Sequence, residues 1–355
     1  MKSAFTVKLM EWNRDYNRRS MPWKGEKDPY KIWLSEIILQ QTRVEQGLKY
    51  YEKFITVFPT IQKLALAPDK EVYKLWEGLG YYSRCKNLLQ TARTIHFDLQ
   101  GVFPINYQDI IKLKGVGAYT AAAISSFAYN QSHAVVDGNV QRVLARYFGI
   151  TTPVDTAKGK SFYQQLAYEL LDKESPGVYN QAIMDFGATT CKPQNPICYE
   201  CVQQKECVAF NNSFVDMLPV KEKSFEKKKR WLYYFLIEIN DKVYIRKRIE
   251  KDIWQNLHEF VLFESPGPIG GPFQKHSFLK RLFPNPTYEI NRISKLYKQQ
   301  LTHQHIHGQF IIMKATNELV IHDYILVEKK KIKEYAFPKF INQFLNESAD
   351  EHYAS

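Results

Sequence analysis

Leu113-Lys114-Gly115-Val116-Gly117-Ala118-Tyr119-Thr120-Ala121-Ala122-Ala123 opens the stretch that decides the fold, and Val136-Asp137-Gly138-Asn139 closes it. Gly115 and Gly117 flank an apolar valine and precede a run of good helix formers. Without a Cβ, the two glycines let the backbone turn tightly and approach a partner closely. The free N–H groups that open the following helix form an anion site, suited to a phosphate. Asp137, just ahead of the helical pattern Val140–Phe148, fits a helix start with its carboxylate facing a cleft. Gly-Val-Gly alone is a common turn and an aspartate alone a common cap; the surrounding chain gives the pair its meaning.

Helical spacing extends outward on both sides. Residues 5–20 carry Leu9, Trp12 and Tyr16 on one stripe, and Met21-Pro22-Trp23-Lys24 breaks the pattern. Asp28-Pro29 starts a second helix, with the aspartate as cap and proline in the first turn. That helix is apolar almost all round, which predicts burial, yet Glu36 lies in its middle. A buried carboxylate costs several kcal/mol unless paired or neutralised. An ion pair with Arg43 or Lys31 would be one answer; a retained proton is the better one in apolar surroundings. Further helices fit Tyr50–Phe58, Pro68–Trp76, Cys85–Leu99, Tyr107–Leu113, Lys158–Leu171 and Val178–Gly187. The first two hundred residues therefore read as all-α.

The period changes near Trp231. Trp231–Asn240 and Lys242–Arg248 form a hairpin pattern about Asn240-Asp241. Leu257–Phe263, Gln309–Thr316 and Glu318–Val327 read as strands, the last two around Asn317, with a Gly/Pro loop at Gly267–Pro272 and a helix at Tyr335–Leu345. This half is α+β. The formal charge is +12 over 355 residues and the pI about 9.2, which favours a polyanion, nucleic acid first. No apolar run is long enough to span a bilayer, and the N-terminus lacks the apolar core of a secretion signal. The expectation is a cytoplasmic protein, nucleoid-associated if bacterial, with no membrane partner.

Of the five cysteines, Cys191, Cys198, Cys201 and Cys207 form C-x6-C-x2-C-x5-C, and Cys85 stands apart. Four thiolates this close can hold one compact inorganic cluster or one zinc ion. The spacing resembles the [4Fe-4S] loop of the endonuclease III superfamily of DNA glycosylases. Leu113–Ala123 then resembles that superfamily's helix-hairpin-helix, and Asp137 matches its catalytic aspartate. Its lyases carry a lysine nucleophile early in the helix after the hairpin; Tyr119 stands there, so the resemblance implies a hydrolase without an imine route.

Finer matches point to one branch. Pro22-Trp23, Asp28–Glu36, Leu39–Val44, Trp76–Arg84 and Val136–Val140 closely resemble the MutY-type adenine DNA glycosylases, which remove adenine mispaired with 8-oxoguanine. The resemblance implies a multidomain fold: an all-α helix-hairpin-helix glycosylase core with a [4Fe-4S] loop held by Cys191, Cys198, Cys201 and Cys207, and a C-terminal α+β Nudix-like domain. The expected divisions are 1–215 for the catalytic domain, with a six-helix barrel at 23–135 and a cluster subdomain from 1–22 and 136–215. A basic linker at 216–229, the Nudix-like domain at 230–345 and a polar tail at 346–355 follow.

Adenine leaves only once its N7 is protonated, and its departure creates an oxocarbenium-like sugar. Glu36 suits the proton donor, and Asp137, at a helix N-terminus, the stabilising anion. Tyr119 and Asn139 would orient the sugar and the carboxylates. The base must be flipped to reach them. Gln41 and Tyr81 match positions that enter the stack, Gly115 and Gly117 the phosphate-gripping hairpin, and Gln181 a position near the flipped base where Glu or Gln occurs. Lys24 replaces the arginine often found beside Trp23. Asp252–Phe260 matches the Nudix-like domain, but the Nudix metal-binding signature is absent, which implies binding without pyrophosphatase activity. The family's Phe-Ser-His loop for 8-oxoguanine aligns with Leu301-Thr302-His303, keeping a hydroxyl at Thr302 and the imidazole of His303. The implied partner is double-stranded DNA with adenine mispairs, met by a monomer.

Overall fold

The computed structural model describes residues 2–222, 227–270, 272–283 and 288–353, with side chains through 348. Residues 223–226 of the expected linker, Gly271 of the Gly/Pro loop and the end of the tail lie outside the described residues. The chain divides into two compact units, one from Met1–Leu66 and Asn87–Ser224, the other from Ala67–Lys86 and Phe225–Ser355.

The helices, in chain order, are α1 (Ala4–Asp15), α2 (Pro29–Leu39), α3 (Val44–Val57), α4 (Ile61–Leu66), α5 (Asp69–Trp76), α6 (Tyr82–Arg93), α7 (Tyr107–Ile110), α8 (Ala118–Tyr129), α9 (Gly138–Phe148), α10 (Ala157–Leu170), α11 (Pro176–Thr189), α12 (Val208–Asn211), α13 (Ser277–Leu282) and α14 (Lys339–Tyr353). Among the described residues none is long and apolar enough to cross a membrane.

The first unit is helical. Asp28 caps α2 by accepting from the Tyr30 N–H at 2.9 Å, with Pro29 in the first turn, and residues on every side of α2 are buried. Its neighbour α8 packs on α11, which meets α9 and α1, and these four helices share one apolar core that includes Leu9, Ala123, Leu144, Tyr179 and Phe186. The expected helix 5–20 ends at Asp15, because the segment after Tyr16 is drawn to a buried carboxylate on α11 instead of continuing the spiral. The expected helix 85–99 starts earlier, at Tyr82, and loosens into a π-helical turn at Thr94–Asp98 before Gln100 and Gly101 reverse it with φ of 55° and 78°.

The second unit is built on a mixed sheet of β1 (Lys228–Ile239), β2 (Lys242–Lys247), β3 (His258–Glu259), β4 (Val261–Ser265), β5 (Tyr288–Ile293), β6 (Tyr297–Gln300), β7 (Gln304–Ala315) and β8 (Ile325–Glu328). The order β3-β2-β1-β7-β5 forms its main path; β4 pairs β1, β6 pairs β7 and β8 pairs β2. The long β1 and β7 run parallel and the other pairs antiparallel. Asn240 and Asp241 turn the predicted β1–β2 hairpin with φ of 45° and 61°, as a type I′ turn requires. The predicted Leu257–Phe263 strand is two, because β3 pairs β2 while β4 pairs β1. The predicted strand Glu318–Val327 is only β8, and it pairs β2 rather than β7. The Tyr244 hydroxyl accepts from the Leu319 N–H and donates to its carbonyl, so that backbone needs no neighbouring strand. The polar strands β5 and β6 lack alternating hydrophobicity and were not predicted. The helix predicted at Tyr335–Leu345 begins at Lys339 and runs on to Tyr353.

The segment Ala67–Lys86 packs with this sheet unit although the sequence reads it with the helices. Tyr73 accepts from the Asn256 amide at 2.8 Å, and Glu77 accepts from the Phe337 N–H at 2.8 Å.

Candidate active site and nucleic-acid interface

The helical unit brings Glu36, Tyr119, Asp137 and Asn139 together. Glu36 is 8% exposed in the middle of α2. Its carboxyl is pushed up to about 7, first by burial and further by the charge of Asp137, while a hydrogen bond from Tyr119 opposes the shift. Lys31 is engaged with Glu26 at 3.1 Å and Arg43 is exposed, so the ion-pair reading of Glu36 gains no support. Tyr119, in the first turn of α8, is held well above the ordinary phenol range by burial and by the two carboxylates. It stays protonated, and its Oη lies 3.6 Å from Met184 Sδ on α11.

Asp137 caps α9. Its Oδ1 accepts from the Val140 N–H at 2.8 Å, and its Oδ2 accepts from Asn139 Nδ2 at 2.7 Å. Burial raises its carboxyl above the ordinary range, opposed by those donors and by Arg142. The sequence expects the helix start alone to hold the anion; the structure adds a chain of donors. Asn139 Oδ1 accepts from Arg142 Nη2 at 2.9 Å. Arg142 also donates to the carbonyls of Gly187, at 2.7 Å, and Cys191, at 2.8 Å. The Asp137–Asn139 pair is thereby tied to the end of α11 and to the first cysteine. Arg142 escaped sequence reasoning; the available signal was an arginine three residues past Asn139 on a strongly amphipathic helix.

Gly115 has φ +78°, and a Cβ there would stand 2.7 Å from Asn87 Cβ, so conformation and packing both demand glycine. Gly117 is exposed, and a Cβ there would meet nothing within 4 Å. It caps α8 with no side-chain hydrogen bond, and that first turn holds no acidic residue. Gln41, just past α2, is exposed with φ 55°. Gln181, on α11, donates to Asp185 Oδ1 at 3.0 Å.

In the sheet unit, Tyr81 sits in a loop with φ 48° between Gly80 at φ 82° and α6. Its ring is 44% exposed and lies against the Arg84 guanidinium, 5.3 Å from the ring centroid. Two residues expected to enter a base stack thus both hold the left-handed backbone that L side chains rarely adopt, a strain that collects at functional tips. Thr302 and His303 are exposed at the tip of the β6–β7 hairpin, where the Leu301 N–H donates to the Gln304 carbonyl at 2.8 Å. Tyr81 and Thr302 are hydrogen-bonded to each other.

The four clustered cysteines form no disulfide and line one small cavity, whose wall also includes Arg146, Ile197 and Phe210. Among the described residues no three His, Cys, Asp or Glu side chains form a set for a single metal ion. Arg146 is 2% exposed and donates to the carbonyls of Lys192, at 2.7 Å, and Val215, at 3.0 Å, and its Nη1 lies 3.6 Å from Cys191 Sγ. It shapes the loop from within and was also missed in the sequence.

Residues 34–162 match the family described as the HhH-GPD superfamily base excision DNA repair protein. The chain is 36% identical over 264 residues to the adenine DNA glycosylase of Buchnera aphidicola subsp. Schizaphis graminum (strain Sg), covering 74% of this chain and 76% of that one. Against the adenine DNA glycosylase of Homo sapiens it is 41% identical over 217 residues, covering 58% of this chain and 39% of the other. Among solved structures, a thermostable thymine-DNA glycosylase superposes with a TM-score of 0.55 at 31% identity, over 59% of this chain and 95% of its own. A buried acid facing a capped aspartate behind a glycine hairpin, and a relative shared along three quarters of both chains, lead to one conclusion: this chain belongs to the adenine DNA glycosylase family of the HhH-GPD superfamily.

Proposed function

We propose that this protein is a monofunctional adenine DNA glycosylase of base excision repair, hydrolysing the N-glycosidic bond of adenine opposite 8-oxoguanine or guanine in duplex DNA. The observation that carries the reading is Glu36, a buried carboxyl with its proton retained to about pH 7, hydrogen-bonded to Tyr119 and sensing Asp137.

Glu36 donates its proton to N7 of the flipped adenine, and the C1′–N9 bond breaks with its electrons passing to the base. Asp137 stabilises the cationic sugar, held for that task by Val140 N–H and Asn139. Water then adds to C1′ and gives its proton to the Glu36 carboxylate, which restores the acid. Tyr119 carries no amine, so no imine forms at that position. The exposed hairpin at Gly117 and the uncapped start of α8 suit a DNA phosphate. Gln41 and Tyr81 fill the gap left by the base, while Thr302 and His303 face 8-oxoguanine.

Cys191, Cys198, Cys201 and Cys207 would hold a [4Fe-4S] cluster. Soft thiols spaced around a cavity with an apolar wall suit a polynuclear centre better than thiols converged on one ion. Bound there, the cluster would cross-link the loop that Arg142 and Arg146 grip.

The test is single-turnover release of adenine from duplexes with 8-oxoguanine, guanine or cytosine opposite, together with borohydride trapping. Adenine release favouring 8-oxoguanine, with no covalent adduct, is expected, and His303→Ala is expected to erase the preference. Release of no adenine, or a trapped imine, would overturn the reading.

A further inference from the structure

Asp185 is fully buried on α11 and no part of the chemistry above uses it. Four side-chain donors converge on it. Its Oδ1 accepts from Arg19 Nη1 at 2.9 Å and Gln181 Nε2 at 3.0 Å; its Oδ2 accepts from Asn17 Nδ2 at 2.9 Å and Lys24 Nζ at 3.0 Å. An ionised carboxylate offers acceptors only. The Gln181 amide therefore has one allowed orientation: its NH2 turns to Asp185, and its Oε1 turns away as a bare acceptor. No hydrogen bond to that oxygen is found among the described residues.

Position makes the orientation matter. Gln181 and Met184 are three residues apart on α11 and so share a face. Met184 Sδ lies 3.6 Å from the Tyr119 hydroxyl, which in turn bonds Glu36. Gln181 thus stands one helical turn from Met184, the residue that touches the tyrosine bonded to the acid. Adenine is distinguished by its N6 amino donor beside N7. An acceptor fixed on the α11 face that reaches Tyr119, the partner of the acid proposed to protonate N7, fits that amino group.

We infer that Asp185 is a positioning residue for base selection: it locks the Gln181 amide so that Oε1 reads the 6-amino group of the flipped purine. The inference rests on the adenine glycosylase reading and adds to it how the base is told from other purines. Arg19 at 2.9 Å and Lys24 at 3.0 Å pair with the carboxylate, so the lock is built from the chain itself and does not depend on the ligand.

The experiment compares single-turnover release of adenine with release of a purine lacking the 6-amino group, each opposite 8-oxoguanine, for the full chain. An amide in place of Asp185 can present either end to Gln181, so Asp185→Asn is expected to lower the adenine-to-purine rate ratio about tenfold, as one lost hydrogen bond to substrate would. Asp185→Glu, which keeps an acceptor-only group, should keep the ratio. In a Gln181→Leu background Asp185→Asn should leave the ratio unchanged, because its effect passes through Gln181. Should Asp185→Asn fail to fold, Asp185→Ser, whose hydroxyl can also donate, is compared instead. Equal loss on both substrates, or an undiminished ratio change in the Gln181→Leu background, would show a merely structural role and sink the inference. If the unmodified protein releases no adenine, the activity reading itself has failed, a distinct result.

Discussion

Tyr81 Oη lies 2.7 Å from Thr302 Oγ1, joining residues 221 positions apart. One is the aromatic ring expected to enter the base stack; the other is the hydroxyl expected beside 8-oxoguanine. Either oxygen can donate, so the bond holds both side chains while leaving one lone-pair set open. Tyr81→Phe and Thr302→Val should each reduce the preference for 8-oxoguanine over guanine by about fivefold, matching a coupling near 1 kcal/mol. The double variant should lose no more than the worse single. Losses that multiply would mean the two residues act independently.

Glu36 gives the pH dependence. With Glu36 as the proposed proton donor, the rate of adenine release should fall about tenfold per unit as pH rises above about 7. Stability follows the same proton. The folded pKa, about 7, lies above an ordinary glutamate near 4.3, so the folded state binds the proton more tightly. The resulting stabilisation is present below pH about 4.3 and is lost as pH climbs to about 7, leaving a deficit of about 4 kcal/mol above it. Glu36→Gln should abolish release yet raise the melting temperature at pH 8. A variant that melts at or below the parent there would contradict a strained, desolvated acid.

Arg142 separates positioning from cluster binding. Replacing it with glutamine removes the guanidinium donors to Asn139 Oδ1 and to the carbonyls of Gly187 and Cys191. The expected result is a rate of adenine release lower by about tenfold, with mispair affinity and iron content retained. Iron loss in step with the rate would show that the Arg142 bond to the Cys191 carbonyl, rather than its bond to Asn139, carries the effect.

Arg146 offers the complementary case. Metal analysis should find about four irons per chain and no stoichiometric zinc, as the [4Fe-4S] assignment requires. Arg146→Met leaves the four cysteines in place but removes the guanidinium donor to Cys191 Sγ and to the carbonyls of Lys192 and Val215. It should release iron several times faster under a chelator. One zinc per chain, or unchanged release, would defeat the assignment or the role given to Arg146.

Much of the helical unit was legible because its signals are local. Asp28-Pro29 marks the start of α2, and the structure caps it there. The apolar pattern around Glu36 predicts a raised carboxyl, and burial is indeed the leading cause. The sheet was less legible. Leu319 and Ile321 carry a strand-like pattern, but the Tyr244 hydroxyl satisfies the Leu319 backbone and the segment does not pair. β5 and β6 are short and mostly polar; Tyr288, Ile290 and Tyr297 pack inward, too few to set a strand period, and pairing with β7 fixes the rest.

By itself the sequence determined the hairpin glycines, the cap at Asp137, the clustered thiols and the tyrosine standing where an amine would change the chemistry. Each depends on a few adjacent residues whose backbone or reactivity is intrinsic. Tertiary structure alone decided that Asp185 gathers Asn17, Arg19, Lys24 and Gln181, that Arg142 braces Asn139, and that Tyr81 meets Thr302. Hydrogen bonds between distant segments need the folded chain to bring donor and acceptor within about 3 Å, and no local pattern encodes that approach.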